Sequence, residues 1–170
     1  MPPADSCSVI PTKILVPIDF SQSSHMALDA AAEFAEKFHA EVFLFHAIPE
    51  FPNVSLPDAI TTAAVIEQAR QVANDRFAVS QKAFSAKGIV ARSNLEVSND
   101  VVGAIVESIE RDNIDLIILT THGLSGWYPH VFGSIAEKVL RLATCPILLL
   151  RTPKPETTAK VPFARSMEWW

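Results

Sequence analysis

Apolar and polar positions change period repeatedly along the 170 residues, and each change marks an element. Lys13-Ile14-Leu15-Val16-Pro17-Ile18 is a short β-branched run and predicts a first strand. Ser21 to His39 then sets Leu28, Ala31, Ala35 and Phe38 at helical spacing, flanked by Ala27 and Phe34, with Ser21 as N-cap. Glu41 to Ile48 is apolar on both alternating faces, which marks an interior strand of a parallel sheet. A proline-bearing loop follows from Pro49 to Asp58. Thr61 to Lys87 predicts a long helix with Ile66, Ala69, Ala73, Phe77, Ser80 and Phe84 on one face, ended by Gly88.

Val90 to Val97 is a more polar third strand, placed near a sheet edge. Asp100 to Arg111 is a helix with Val101, Ile105 and Ile109 inward, and Asp115 to Thr120 is a fourth strand. Ser134 to Ala143 and Pro146 to Leu150 give a last helix and a last strand. Strands alternating with helices of these lengths predict an α/β domain: a five-stranded parallel sheet with right-handed crossovers and helices on both faces. With strand order 3-2-1-4-5, ligands bind beyond the carboxyl ends of the strands, between the first and the fourth. Asp19 stands at the end of one and a glycine-bearing loop at the end of the other.

That loop carries the strongest chemical signal. Of five glycines, three (Gly123, Gly126 and Gly133) follow the apolar run Leu116 to Leu119 and precede the last helix. A strand, a glycine loop and a helix start are the parts of an anion site, because glycine admits close backbone approach and the helix start offers unpaired N–H groups. Ser134-Ile135-Ala136-Glu137 fits a capping box, in which Ser134 caps the helix. Alternatively its hydroxyl and the N–H groups of Gly133 and Ser134 hold a phosphate. Asp19 has two readings as well: a turn residue capping the next helix, or a ligand contact at the ribose or base end, since a carboxylate repels phosphate. His46 and His122 are read as satisfied structural histidines, having no paired serine or cysteine nucleophile. Trp127 and Tyr128 have three open readings: stacking on a base, contacting a partner or packing the loop down.

No Walker A and no G-x-G-x-x-G sequence occurs, and residues 120–134 contain no Lys or Arg. Phosphate binding then rests on backbone N–H groups, Ser134 and the neighbouring His122 or His130. That favours holding a nucleotide over cleaving it, since phosphoryl transfer recruits cations. No catalytic residue is assigned, and the scattered histidines and two distant cysteines predict no metal site.

Composition narrows the partners. A formal charge of −5 without a basic cluster argues against nucleic acid, and no apolar run approaches the roughly 20 residues of a membrane span. Residues 1–11 read as a loose tail and not a signal peptide, and residues 152–170, ending Trp169-Trp170, as an appendage. Cys7 in the tail and Cys145 in an apolar run form no staple, so a reduced, cytoplasmic location is expected.

Between the tails, over about 12–151, the chain resembles the universal stress protein family. The matching stretches are Lys-Ile-Leu-Val-Pro-Ile-Asp-Phe-Ser from Lys13, Leu-Phe-His-Ala from Leu44, Asp-Leu-Ile-Ile-Leu-Thr-Thr-His-Gly from Asp115, and Phe-Gly-Ser-Ile-Ala-Glu-Lys-Val-Leu-Arg from Phe132. The nucleotide-binding branch of that family carries G-x2-G-x9-G-[ST]. Gly123 matches its second glycine and Gly133-Ser134 its close, while Thr120 stands where the first glycine is expected.

The resemblance implies a Rossmann-like, adenine nucleotide alpha hydrolase-like fold that binds ATP, with Mg2+ accompanying the nucleotide. Pro17, Ile18 and Ala47 would line the adenine slot and Asp19 would meet the ribose or adenine edge. Gly123, Gly133 and Ser134 would hold phosphate, beside Thr120 and His122. A homodimer paired through Ile147 to Leu150 is implied too, as is a role as stress-response sensor or regulator with at most slow hydrolysis. The alternatives are a non-nucleotide-binding interaction module and an adenine-nucleotide hydrolase or autophosphorylating protein with Ser134 or Ser21 as acceptor.

Overall fold

The structure, a computed structural model, describes residues 10–50, 62–121 and 133–151. Five strands, β1 (Lys13–Pro17), β2 (Glu41–Ile48), β3 (Ala91–Val97), β4 (Leu116–Thr120) and β5 (Ile147–Leu150), alternate with four helices. The helices are α1 (Gln22–Phe38), α2 (Thr62–Ala86), α3 (Val101–Asp112) and α4 (Ser134–Leu142). All strand pairs are parallel, in the order β3-β2-β1-β4-β5. The predicted α/β fold and strand order are both found.

Successive residues of a strand face opposite sides, and the two cores divide accordingly. Ile14, Val16, Val42 and Leu44 pack with Ala27, Ala31 and Ala35 of α1 and Phe77 and Phe84 of α2. Leu15, Phe43, Phe45, Ile117 and Leu119 pack with Ile105 and Ile109 of α3 and Ala136 and Val139 of α4. β1 is therefore sealed on both faces, and its carboxyl end sits at the middle of the molecule.

Three helices stop on left-handed residues. His39 (φ 57°), Gly88 (φ 74°) and Asn113 (φ 52°) turn the chain after α1, α2 and α3. In each case the next N–H reaches back five residues: Ala40 to Ala35, Ile89 to Phe84 and Ile114 to Ile109, at 3.1, 3.0 and 2.9 Å. These are Schellman-type closures, and each directs the chain into the following strand.

Small corrections fall at element ends. β4 begins at Leu116, although the Asp115 N–H already donates to the Lys13 carbonyl at 3.1 Å. β1 ends at Pro17, although the Ile18 N–H still donates to the Phe45 carbonyl at 2.8 Å. Cys145, which leads into an edge strand, is half-buried, and that partial burial pushes its thiol up to about 11. Residues 51–61, most of the predicted proline loop, lie outside the described residues. Among the described residues no helix is long and apolar enough to cross a membrane.

Candidate functional site

One wall of the site forms where β1 hands over to α1. The Asp19 N–H donates to Ser24 Oγ at 3.1 Å, and Asp19 Oδ1 accepts the Ser21 N–H at 3.0 Å together with the Ser24 hydroxyl. Ser21 caps α1 as predicted, its hydroxyl accepting the Ser24 N–H at 3.3 Å. Asp19 therefore organises the turn with one carboxylate oxygen while it also lines a cavity. The turn reading is borne out, although Ser21 and not Asp19 supplies the cap.

The opposite wall forms at the end of β4. The buried Thr121 donates its N–H to the Leu150 carbonyl at 2.9 Å, and its own carbonyl accepts the Gly133 N–H at 2.7 Å. The Gly133 carbonyl accepts the Glu137 N–H at 3.0 Å, which makes Gly133 the N-cap of α4. Ser134 is thus the first helical residue, and no side chain caps this helix. The expected capping box does not form, because the helix starts one residue too early for it. The Gly133 N–H, offered to phosphate in the sequence reading, is engaged by Thr121. Ser134 is exposed at the helix start, where the first N–H groups have no carbonyl partner within the helix.

Between the walls lies a cavity of about 470 Å³. Of the predicted site residues, Pro17, Ile18, Asp19, Ala47, Thr120, Gly133 and Ser134 all line it. His122 and Gly123 lie outside the described residues, as do Trp127, Tyr128 and His130. The sequence reading missed the apolar floor built by Phe45, Val101, Ile105, Leu119, Ala136 and Val139. Its signal was present, since these are the inward positions nearest the carboxyl ends of β2 and β4 and the helices above them. No Lys or Arg occurs among the described lining residues, and Asp19 is the carboxylate among them. Among the described residues no cluster of three or more His, Cys, Asp or Glu is placed to hold a metal.

His46 borders the cavity, with Nδ1 2.7 Å from the Ile18 carbonyl. A carbonyl only accepts, so this nitrogen carries the proton. Burial holds the imidazole below its ordinary value of 6.5, against the opposing effects of that hydrogen bond and of Asp19. The hydrogen bond at Nδ1 is in line with the structural reading.

A doubly wound parallel sheet with an apolar crevice at its strand-order reversal, closed by a helix start, defines a Rossmann-like α/β protein. The universal stress protein family matches residues 11–151, and the chain belongs to that family. It is 29% identical over 144 residues to a universal stress protein of Methanocaldococcus jannaschii, covering 85% of this chain and 84% of that relative. Among solved structures, it resembles the M. jannaschii protein MJ0577 with a TM-score of 0.75 at 25% identity, covering 86% of this chain and 99% of that one. It also resembles a universal stress protein in complex with cAMP, with a TM-score of 0.55 at 25% identity over 83% and 97% of the two chains.

Proposed function

We propose that this universal stress protein binds an adenine nucleotide, ATP or a related one, in the crevice between β1 and β4 and acts as a cytoplasmic, homodimeric sensor or regulator. The observation that carries this is the 470 Å³ cavity itself, apolar along its floor and bounded by Asp19 on one side and the start of α4 on the other. An apolar slot suits a purine ring, a carboxylate suits ribose hydroxyls, and a helix start suits phosphate. The relative that holds cAMP supports an adenine ligand. Pro17, Ile18 and Ala47 would hold the base, Asp19 the ribose, and Ser134 with the first N–H groups of α4 the phosphate. Mg2+ fits here as an ion carried by the nucleotide, because Asp19 is the carboxylate among the described lining residues. With no Lys or Arg among the described lining residues to offset developing charge, hydrolysis is slow.

Denaturing the purified protein and identifying released nucleotide by mass tests this reading, followed by calorimetric titration with ATP and with cAMP. Absence of bound nucleotide together with flat titrations would sink it.

Thr120 favours a second reading, an interaction module of the same fold without nucleotide. It lines the cavity with a β-carbon where the family motif has glycine, and the Gly133 N–H is already hydrogen-bonded. The same titrations decide between the two.

A further inference from the structure

Phe20 lies between Asp19 and the N-cap Ser21 with φ 60°. A bulky aromatic residue takes this left-handed conformation only where its surroundings impose it. Those surroundings come from two other elements. The Phe20 ring centre lies 4.5 Å from the His46 imidazole on β2 and 5.6 Å from the Phe77 ring on α2, which it meets edge-on at 67°. The Arg76 guanidinium, also on α2, stands 5.1 Å from the ring centre. His46 is itself anchored to the Ile18 carbonyl. The ring is thus held by an aromatic edge, an imidazole and a cation, and packs against the α1–α2 core. Its neighbour Asp19 lines the crevice.

We propose that Phe20 is a positioning residue of the nucleotide site: its clamped ring holds the left-handed turn that sets the Asp19 carboxylate against the ligand. Moving the backbone at Phe20 to an ordinary conformation would rotate the chain on either side of it. The Ser21 N–H would then leave Asp19 Oδ1, and the carboxylate would leave its place in the crevice wall. The proposal rests on the reading that Asp19 contacts the nucleotide.

The test titrates ATP and cAMP into the parent, Phe20→Ala, Phe20→Gly, Asp19→Ala and the Phe20→Ala, Asp19→Ala double variant. Glycine adopts φ 60° freely but brings no ring, so it preserves the turn's allowed geometry should the alanine variant fail to fold. Each Phe20 variant is expected to bind about tenfold more weakly, and the Phe20 change should add nothing once Asp19 is alanine. Additive losses would overturn the proposal and leave Phe20 as core packing. A ligand-free measurement separates the two layers: amide exchange at Ser21 should quicken in both Phe20 variants while exchange at Leu44, in the centre of β2, stays unchanged. Unchanged Ser21 exchange overturns positioning by Phe20 whatever the titrations give. Asp19→Ala binding as tightly as the parent overturns the contact assigned to Asp19.

Discussion

The Gly133 N–H donates to the Thr121 carbonyl across 2.7 Å, joining the residue just after β4 to the N-cap of α4. The bond fixes where α4 begins and which of its groups face the crevice. Gly133 has φ −56° and ψ 138°, a conformation open to any L-residue. Its side-chain position matters more to the site than its backbone freedom does.

Gly133→Val should therefore fold, because a β-branched residue accepts that extended backbone, while its methyl groups intrude on the cavity that Gly133 lines. Calorimetric titration should show nucleotide binding weakened by about tenfold or more, with the thermal unfolding midpoint near that of the parent. Parent-like affinity would show that the ligand does not approach α4 here.

At the opposite end of the sheet, Asp115 ties β4 to β1. Its carboxylate accepts the Thr12 N–H at 2.8 Å, the Thr12 hydroxyl at 2.6 Å and the Lys13 N–H at 3.0 Å. Asp115→Asn retains the shape but not the charge, and should lower stability by about 1–2 kcal/mol, the range for hydrogen bonds to a charged group. Nucleotide affinity should not change, since the crevice lies at the carboxyl ends of the strands. Chemical denaturation and titration of the same sample separate the two effects.

The elements and their parallel pairing were legible in the sequence because they follow from hydrophobic period and from alternation of strands and helices, whereas the strand order was an assumption that the structure bears out. Ser134 shows where that legibility ended. Ser-x-x-Glu satisfies the local pattern of a capping box, yet the helix start is set by the bonding of Gly133, first to Thr121 and then to Glu137. Phe20 shows the same limit. Left-handed turns announce themselves in sequence through Gly or Asn, as at Gly88 and Asn113. At Phe20 the conformation is imposed by His46, Arg76 and Phe77, which are distant in the chain.

His46 makes stability pH-dependent. Its folded pKa lies below the ordinary 6.5, chiefly through burial, so the unfolded chain takes up this proton first. Stability from the neutral imidazole is complete above about pH 6.5 and is lost progressively as pH falls toward the lower folded value. In His46→Asn, the slope of unfolding free energy between pH 5 and 7 should flatten relative to the parent. An NMR titration of the parent should place the imidazole midpoint below 6.5. A midpoint above 6.5 reverses the predicted sign.

The dimer reading can be tested on β5, which pairs among the described residues with β4 alone. The Pro146 and Leu150 carbonyls both accept N–H groups from the β4 side, those of Ile117 and Thr121, at 3.0 and 2.9 Å. Backbone groups alternate along a strand, so Leu148 shares that direction while the Ile147 and Leu149 groups point to the open edge. Every β5 residue is only half-buried, leaving an apolar edge that a second copy would cover. Leu149→Pro removes an outward N–H and spares the ladder to β4, as proline does on edge strands. Light scattering should give twice the chain mass for the parent and the single-chain mass for the variant, with far-ultraviolet circular dichroism unchanged. A variant that remains dimeric would move the interface away from β5.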